Sequence, residues 1–267
     1  MKPSVDIITS IQNKRVKYVK SLQAKGRLRR SEKKLILEGD RLIRDALNSG
    51  GRPDLALYTP ESADYELIAI LQNRNCELLP VSEGVLSHIS DTKRSPGILV
   101  VFQIPKPPIP NQAERVLILD AVREPGNMGT VLRSAAAAGV DIAILAPGCV
   151  DPYSSKVLRA GMGVHFRLPV AEAKWQEIRA YCAGLTVYSA DARGEAVYTE
   201  VDWGQPWALV VGNEAHGISS EAQRISRSSV SVPMSHEAES LNVASAATVI
   251  LFEAKRQRLK RAPHPGH

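Results

Sequence analysis

Three stretches in the second half of the chain place polar residues where apolar strands end. They are LDAVREPGNMGTVLRSAAAAGV (119–140), ALVVGNEAHGIS (208–219) and VPMSHEAESLNVASAATVILFE (232–253). In each, an apolar run leads into a loop of Gly, Asn, Glu, His or Ser, and the loop opens a helical pattern. Strand ends beside helix N-termini are where α/β proteins bind ligands, because unpaired N–H groups point into the crevice. The three stretches therefore predict ligand-binding loops.

Taken singly, the polar residues of these stretches also allow ordinary structural roles. Asn127 follows a Pro-Gly pair where a helix begins, a position at which Asn often serves as N-cap, and Ser240 has the same alternative. Arg133 lies nearly two helical turns after Asn127, so its side chain either leans back towards the loop or is a solvated helical arginine. Glu214 follows a strand and would otherwise be a surface carboxylate.

Taken together, the stretches resemble, in order, spacing and residue identity, the three motifs of the SpoU/TrmH family of SPOUT RNA methyltransferases. The resemblance covers about residues 115–257. It implies an enzyme that transfers a methyl group from S-adenosylmethionine to a ribose 2′-hydroxyl of RNA. It also implies an α/β fold with a C-terminal knotted (trefoil) parallel-sheet domain, a preceding small α/β RNA-binding domain, and a homodimer formed partly by the small-residue C-terminal helix.

The same resemblance assigns site residues. It implies catalytic-site positions at Arg133, Asn127, Glu214, Ser240 and Asn242, and main-chain contacts to S-adenosylmethionine around Gly212, Val232 and Leu241. The arginine is the residue most associated with catalysis. Because a guanidinium stays protonated in almost any protein setting, we interpret Arg133 as an electrostatic group rather than a base.

The chain divides at IPKPPIPNQAE (104–114), where four prolines favour an extended linker. Residues 1–103 alternate helical and strand patterns and resemble, more loosely, the substrate-binding domain of this family. The catalytic domain is expected at 115–257, with strands that include RVLILD and FRLPV (166–170), and a basic flexible tail at 258–267.

Positive charge is concentrated at the N-terminus. Residues 1–44 contain thirteen Lys or Arg and four Asp or Glu, a net of +9 within a chain whose formal charge is +6. Such a surface suits a polyanion like RNA, although a solvated helix face is as common for a run of this length. The candidate RNA-binding residues are Lys14, Arg15, Arg27, Arg29, Arg30, Lys156 and Arg159.

Other classes of protein are disfavoured. The three cysteines show no C-x-x-C pairing, which argues against a disulfide framework or zinc site, and no metal ligands are expected. No GxGxxG, P-loop or Ser-His-Asp pattern is present. No apolar run is long enough for a membrane span, so a cytoplasmic protein is expected.

The RNA substrate is less sharply defined. Two-domain chains of this kind are commoner among rRNA-modifying members of the family, which favours large-subunit rRNA. A tRNA 2′-O-methyltransferase and a non-catalytic RNA-binding ribosome-assembly factor with the same fold stay as alternatives. Retention of all five catalytic-site positions argues against lost chemistry.

Overall fold

The chain folds into two units, each built around its own β-sheet. A computed structural model describes residues 6–92, 95–235 and 241–261. The first unit comprises residues 1–106 together with 153–166, and the second comprises 107–152 and 167–267. Within the described residues, no helix is long and apolar enough to cross a membrane.

Helices and strands alternate along most of the chain. Before the proline-rich segment they are α1 (Lys14–Ala24), α2 (Gly26–Glu32), β1 (Lys34–Glu38), α3 (Asp40–Asn48), β2 (Pro53–Tyr58), α4 (Tyr65–Asn73), β3 (Glu77–Pro80), α5 (Glu83–Ile89) and β4 (Ile98–Gln103). After it they are β5 (Arg115–Leu119), α6 (Pro125–Ala138), β6 (Ile142–Leu145), α7 (Ser155–Ala160), a 3₁₀ helix (Val164–Phe166), β7 (Val170–Glu172), α8 (Trp175–Tyr181), β8 (Thr186–Ala190), β9 (Ala196–Val197), β10 (Trp207–Val211), α9 (Ser220–Ile225), β11 (Ser228–Ser231) and α10 (Val243–Arg261).

The first unit is a four-stranded mixed sheet with apolar cores on both faces. Its strand order is β1-β4-β2-β3, with β2 and β3 parallel and the other pairs antiparallel. Successive residues of a strand point to opposite faces, so Leu35 and Leu37 enter one core while Ile36 enters the other. Helices α3 and α4 cover the first face, and α1 and α5 cover the second.

Residues 153–166 complete the first of these cores, although in the sequence they fall between β6 and β7, two strands of the other unit's sheet. Leu158 and Phe166 are buried there, and the Phe166 ring packs edge-on against Phe102 with centroids 5.7 Å apart. The strand predicted at 166–170 is therefore wrong at its start. Phe166 belongs to a 3₁₀ helix, Pro169 cannot donate a backbone N–H, and β7, at the edge of its sheet, begins at Val170.

The basic N-terminal run forms two helices rather than one. Helix α1 begins after Asn13, whose side chain accepts a hydrogen bond from the Arg15 N–H (2.8 Å), and α2 follows after Lys25. Arg29 of α2 is only 5% exposed, and its Nη1 donates to the carbonyls of Leu22 and Gln23 at 2.5 and 2.8 Å. Arg29 was predicted to bind RNA. That prediction is corrected, because this guanidinium is buried and donates hydrogen bonds that hold α2 against the end of α1.

The second unit is a seven-stranded sheet in which every pair is parallel. Its strand order is β7-β6-β5-β10-β8-β11-β9. Strand β5 lies between β6 and β10, so the chain turns to opposite sides of β5 as the sheet is built. A reversal of this kind opens a crevice at the carboxyl ends of the strands. The α/β class and parallel sheet expected from the sequence are confirmed, while the trefoil knot stays a prediction.

Helix α10 extends further than the sequence analysis placed it. Residues 258–261 were assigned to a flexible tail, but they continue the helix to Arg261. Arg258 donates to the carbonyls of Ala138 and Gly139, at the C-terminal end of α6, and Arg261 pairs with Asp202 at 2.7 Å. These contacts give the last turn fixed partners and favourable interactions with the α6 dipole. Residues 262–267 lie outside the described part of the chain.

Candidate active site

The three polar loops of the second unit meet at the carboxyl edge of its sheet. They follow β5, β10 and β11, and strand order brings them together because β10 is next to β5 and β8 alone separates β10 from β11. A cavity of about 430 Å³ opens there, lined in part by Gly212, Val232 and Leu241. Its volume lies within the range of small-ligand pockets, roughly 300–1,000 Å³.

The loop after β10 is a closed turn with no room for a side chain at its start. A Cβ atom added to Gly212 would lie 2.5 Å from the Gly217 carbonyl, so only glycine fits. Asn213 and Gly217 exchange both backbone hydrogen bonds, at 2.8 and 2.9 Å. The Asn213 side chain also donates to the carbonyl of Ala121 (2.8 Å), a residue with a φ of +54° at the end of β5. One loop thus stabilises an unfavourable backbone conformation in the other.

Glu214 joins the same two loops through further hydrogen bonds. Its carboxylate accepts hydrogen bonds from Asn127 Nδ2 (3.0 Å) and from the backbone N–H groups of Glu124 (3.2 Å) and Arg123 (3.3 Å). Burial alone would raise the pKa of Glu214. The hydrogen bonds from Asn127 and the backbone outweigh burial, so the pKa lies below its ordinary value and the group is ionised at neutral pH.

Asn127 and Asn242 extend this contact into a chain that joins all three loops. Asn242 Oδ1 accepts from the N–H groups of Ala244 and Ser245, which caps α10 and leaves Nδ2 free to donate to Asn127 Oδ1 at 3.0 Å. Asn127 Nδ2 in turn donates to Glu214. Each amide therefore has a defined orientation. The alternative role of Asn127 as N-cap is wrong, since Glu124 caps α6.

Arg133 is not part of the hydrogen-bonded series formed by Asn242, Asn127 and Glu214. It is exposed on α6, does not line the cavity, and makes no hydrogen bond or ion pair with any of the residues that the structure describes. Its guanidinium is thus available to a ligand. Ser240, the remaining catalytic-site candidate, falls in 236–240, outside the described residues.

The candidate RNA-binding residues differ in their exposure and in the ion pairs that they form within the protein. Lys14, Arg27, Arg30 and Lys156 are exposed, and Arg15 is exposed but pairs with Glu77 at 2.8 Å. Arg159 pairs with Asp91 at 3.1 Å. Asp91 also accepts from Ser155 Oγ (2.6 Å), and these hydrogen bonds, that from Ser155 foremost, hold its pKa below the usual range despite burial. Arg159 therefore serves the packing of α7 within the first unit.

Two side chains near the cavity were not predicted from the sequence. Asn213 shapes its own loop and that after β5, and Asp191 lines the cavity from the end of β8. The signal for Asp191 was the same as for the three motifs, a polar residue directly after an apolar strand, in LTVYSAD (185–191). Among the described residues, no three His, Cys, Asp or Glu side chains are grouped as metal ligands would be.

A parallel sheet with a small-ligand cavity at its carboxyl edge, lined by a glycine turn and by the N-terminus of α10, is typical of α/β enzymes that bind nucleotide-like ligands. Comparison with known families makes this specific. The SpoU rRNA Methylase family matches residues 114–252, and the MRM3-like substrate binding domain matches residues 13–100. The chain belongs to the SpoU rRNA methylase family.

Individual relatives are similar over both units. The chain is 32% identical to the 23S rRNA (guanosine(2553)-2′-O)-methyltransferase RlmP of Bacillus subtilis, covering 93% of this chain and 98% of that protein. It is 31% identical to the mitochondrial rRNA methyltransferase 3 of Mus musculus, with 92% and 72% covered. The crystal structure of an AdoMet-bound rRNA methyltransferase from Sinorhizobium meliloti superposes with a TM-score of 0.83 at 30% identity, covering 94% and 98%.

The first prediction concerns the charge of Glu214. Glu214→Gln leaves one acceptor oxygen and places an amide NH₂ against N–H donors, so it should lower the free energy of unfolding by roughly 1 kcal/mol at pH 7. Because the folded-state pKa is depressed, the glutamate's contribution is present above its ordinary pKa of about 4.3 and is lost as the pH falls through the folded value. Urea unfolding of both proteins at several pH values measures this.

The exposed Glu200 offers a matched control, since Glu200→Gln should leave stability unchanged at every pH. If the difference between wild type and Glu214→Gln stayed constant from pH 7 to pH 3.5, the carboxylate would not be acting as an ionised acceptor.

Proposed function

We propose that this protein transfers a methyl group from S-adenosylmethionine to a ribose 2′-hydroxyl of large-subunit rRNA. The observation that carries the proposal is the cavity lined by Gly212, Val232 and Leu241, directly beside the hydrogen-bonded chain of Asn242, Asn127 and Glu214. The glycine turn lets a ligand approach the backbone closely, and main-chain groups at these three positions suit the adenine and ribose of the donor.

When bound, S-adenosylmethionine supplies an activated methyl group attached to a good leaving group. The task of the protein is therefore mainly alignment of the ribose oxygen with that methyl group. The hydrogen bonds among Asn242, Asn127 and Glu214 fix the loops between which the ribose oxygen would approach the methyl group.

Arg133 supplies charge stabilisation. It is exposed, has no partner among the described residues, and carries a planar cationic group with several N–H donors. A guanidinium so placed binds an RNA phosphate and stabilises the negative charge that develops on the 2′-oxygen as its proton leaves. The proton then goes to water or to the RNA, because the arginine is already fully protonated.

Several observations favour rRNA over tRNA as the substrate. The substrate-binding domain matched at residues 13–100 is of the MRM3-like type, and the rRNA methyltransferases from Bacillus subtilis and Mus musculus align over more than nine tenths of this chain. Retention of Asn127, Glu214 and Asn242 in one bonded chain supports catalysis over a purely binding role.

The first unit supplies RNA capture. The exposed residues Lys14 and Arg27 of α1 and α2 are available for phosphates, joined by Lys156 of α7. Arg15 contributes only by exchanging Glu77 for RNA. Binding through such contacts releases counterions and is therefore strongly salt-dependent.

A homodimer completes the proposal. Helix α10 carries two large exposed apolar side chains seven residues apart on one face, Phe252 at 42% and Leu259 at 59%. Exposed apolar stripes of this kind mark protein–protein contacts, and a two-fold axis would bury each helix against its copy. We place the protein in the cytoplasm, consistent with three cysteines that are all free.

The second prediction separates chemistry from donor binding. Arg133→Ala should reduce methyl transfer to rRNA by at least 100-fold while leaving the Kd for S-adenosylmethionine within a few-fold, because Arg133 does not line the cavity. Transfer of tritiated methyl groups and calorimetry measure the two quantities. Arg179→Ala, which removes another exposed helical arginine of the same unit, should change neither. Near-parental turnover of Arg133→Ala would leave Arg133 as a solvated surface residue.

The third prediction concerns RNA capture. The double variant Lys14→Ala/Arg27→Ala should weaken RNA binding, flatten the slope of log Kd against log salt by about one to two, and leave the melting temperature unchanged. Arg29→Ala should instead lower the melting temperature, because its carbonyl partners lose their buried donor. Point substitutions are preferable to truncation at the linker, since residues 153–166 belong to the core of the first unit.

Arg52→Ala/Arg74→Ala is the matched control for that experiment, since it removes two exposed cations of the same unit outside α1 and α2. An equal loss of RNA affinity in this control would mean that general charge, rather than the α1–α2 surface, attracts the RNA.

The fourth prediction concerns assembly. The wild-type chain should be a dimer by light scattering at micromolar concentration. Phe252→Glu should shift it to monomer, because the charge would be buried in the proposed dimer interface. Ile109→Glu changes an equally exposed apolar residue outside α10 and should stay dimeric. A monomeric wild type would remove the homodimer from the proposal.

A further inference from the structure

Four polar side chains of the described residues line the cavity, and they differ in how many hydrogen bonds they already make. They are Asp191, Asn213, Glu214 and Asn242. Asn213 uses its oxygen for the N–H groups of Ala215 and His216 and its nitrogen for the Ala121 carbonyl. A ligand would have to displace protein contacts to use such a group.

Glu214 and Asn242 are committed in the same way. Glu214 accepts from three donors of the loop after β5, and Asn242 both caps α10 and donates to Asn127. Their role is to hold the loops that surround the cavity. Of the four, Asp191 is left as the group with an unused charged oxygen.

Asp191 is nevertheless held firmly. Its N–H donates to the Val230 carbonyl (3.0 Å), its Oδ1 accepts from the Arg193 N–H (2.8 Å), and its carbonyl accepts from Gly194 (3.1 Å). Gly194 presses so closely on β11 that an added Cβ would lie 2.5 Å from the Val230 backbone. Asp191 Oδ2 has no hydrogen-bond donor among the described residues. Asp191 lines the cavity and is exposed, so this oxygen is open to a ligand.

Strand order indicates which part of a bound S-adenosylmethionine lies next to Asp191 Oδ2. Asp191 follows β8, whose neighbours are β10, ending before Gly212, and β11, ending before Val232. It is thus about one strand spacing, roughly 4.8 Å, from each of those positions and about two spacings from the loop after β5 that holds Asn127. The proposed function puts the reacting RNA hydroxyl on the Asn127 side, and on that basis Asp191 lies on the side of the adenosine.

We propose that Asp191 binds the ribose hydroxyls of the donor's adenosine through its free oxygen. A vicinal diol presents two O–H donors, and a carboxylate at a strand end is a suitable acceptor for them. This inference rests on the proposed function. It adds a side-chain contact to a pocket whose other donor contacts come from the main chain, and it assigns the contact to the adenosine rather than to the amino-acid portion.

The test uses binding rather than turnover, with three probes and calorimetry on the full-length protein. The probes are S-adenosylhomocysteine, 5′-methylthioadenosine, which lacks the amino-acid portion, and the 2′,3′-dideoxy form of 5′-methylthioadenosine. Asp191→Asn keeps an acceptor for the Arg193 N–H, and so preserves the turn, but replaces the free oxygen by NH₂. Asp191→Ala removes both oxygens, and Glu200→Ala is the matched control on an exposed carboxylate outside the cavity.

Asp191→Asn is expected to weaken S-adenosylhomocysteine and 5′-methylthioadenosine by the same factor, about 10- to 100-fold, as loss of a hydrogen bond to a charged group implies. The dideoxy probe should bind wild type and variant equally, and Glu200→Ala should resemble wild type throughout. Equal affinity of wild type and both Asp191 variants for every probe would overturn the inference. A loss confined to S-adenosylhomocysteine would also overturn it, by assigning Asp191 to the ammonium group. Wild-type protein that binds no probe, with or without RNA, would instead overturn the proposed function itself.

Discussion

One ionised carboxylate holds the active-site loops of the second unit in register. Glu214 accepts hydrogen bonds from residues 87 to 91 positions earlier in the chain, and Asn127 passes the contact on to Asn242, 115 positions later. Because Asn242 also caps α10, the start of the C-terminal helix depends on the same chain. Three segments far apart in sequence thus share a single set of donors and acceptors, and each fixes the amide orientation of the next.

Much of this arrangement follows from the sequence because it depends on local patterns. Apolar strands that end in Gly, Asn or Glu predict polar loops, and parallel strands bring such loops to one edge. Gly212, Val232 and Leu241 were assigned to the donor pocket from their motifs, and all three line one cavity. The assignment of roles beyond position stays a prediction, since geometry identifies neighbours and not the reaction that they promote.

What the sequence did not predict depends on distant partners. Nothing in a run of ten cations between residues 14 and 34 distinguishes Arg29, which is buried against carbonyls, from Arg30, which is exposed. Arg159 looked free until Asp91, 68 residues away, was found beside it. The strand start was misplaced at Phe166 because an apolar residue fits a strand and a core contact equally well, and its contacts are with distant residues of the first unit's core, such as Phe102.

Folding of the first unit on the ribosome depends on core residues that are made long after its sheet. The sheet of the first unit is complete once Gln103 has been made, yet Leu158 and Phe166 fill one of its two cores. The emerging N-terminal unit therefore carries an uncovered apolar surface while about sixty more residues are translated, a delay of several seconds at typical elongation rates of about 5–20 residues per second. During that interval β5 and β6 are also made, so part of the second unit is already present before the core of the first unit is complete. A nascent chain of this kind is exposed to chaperones for longer than a self-contained N-terminal domain would be.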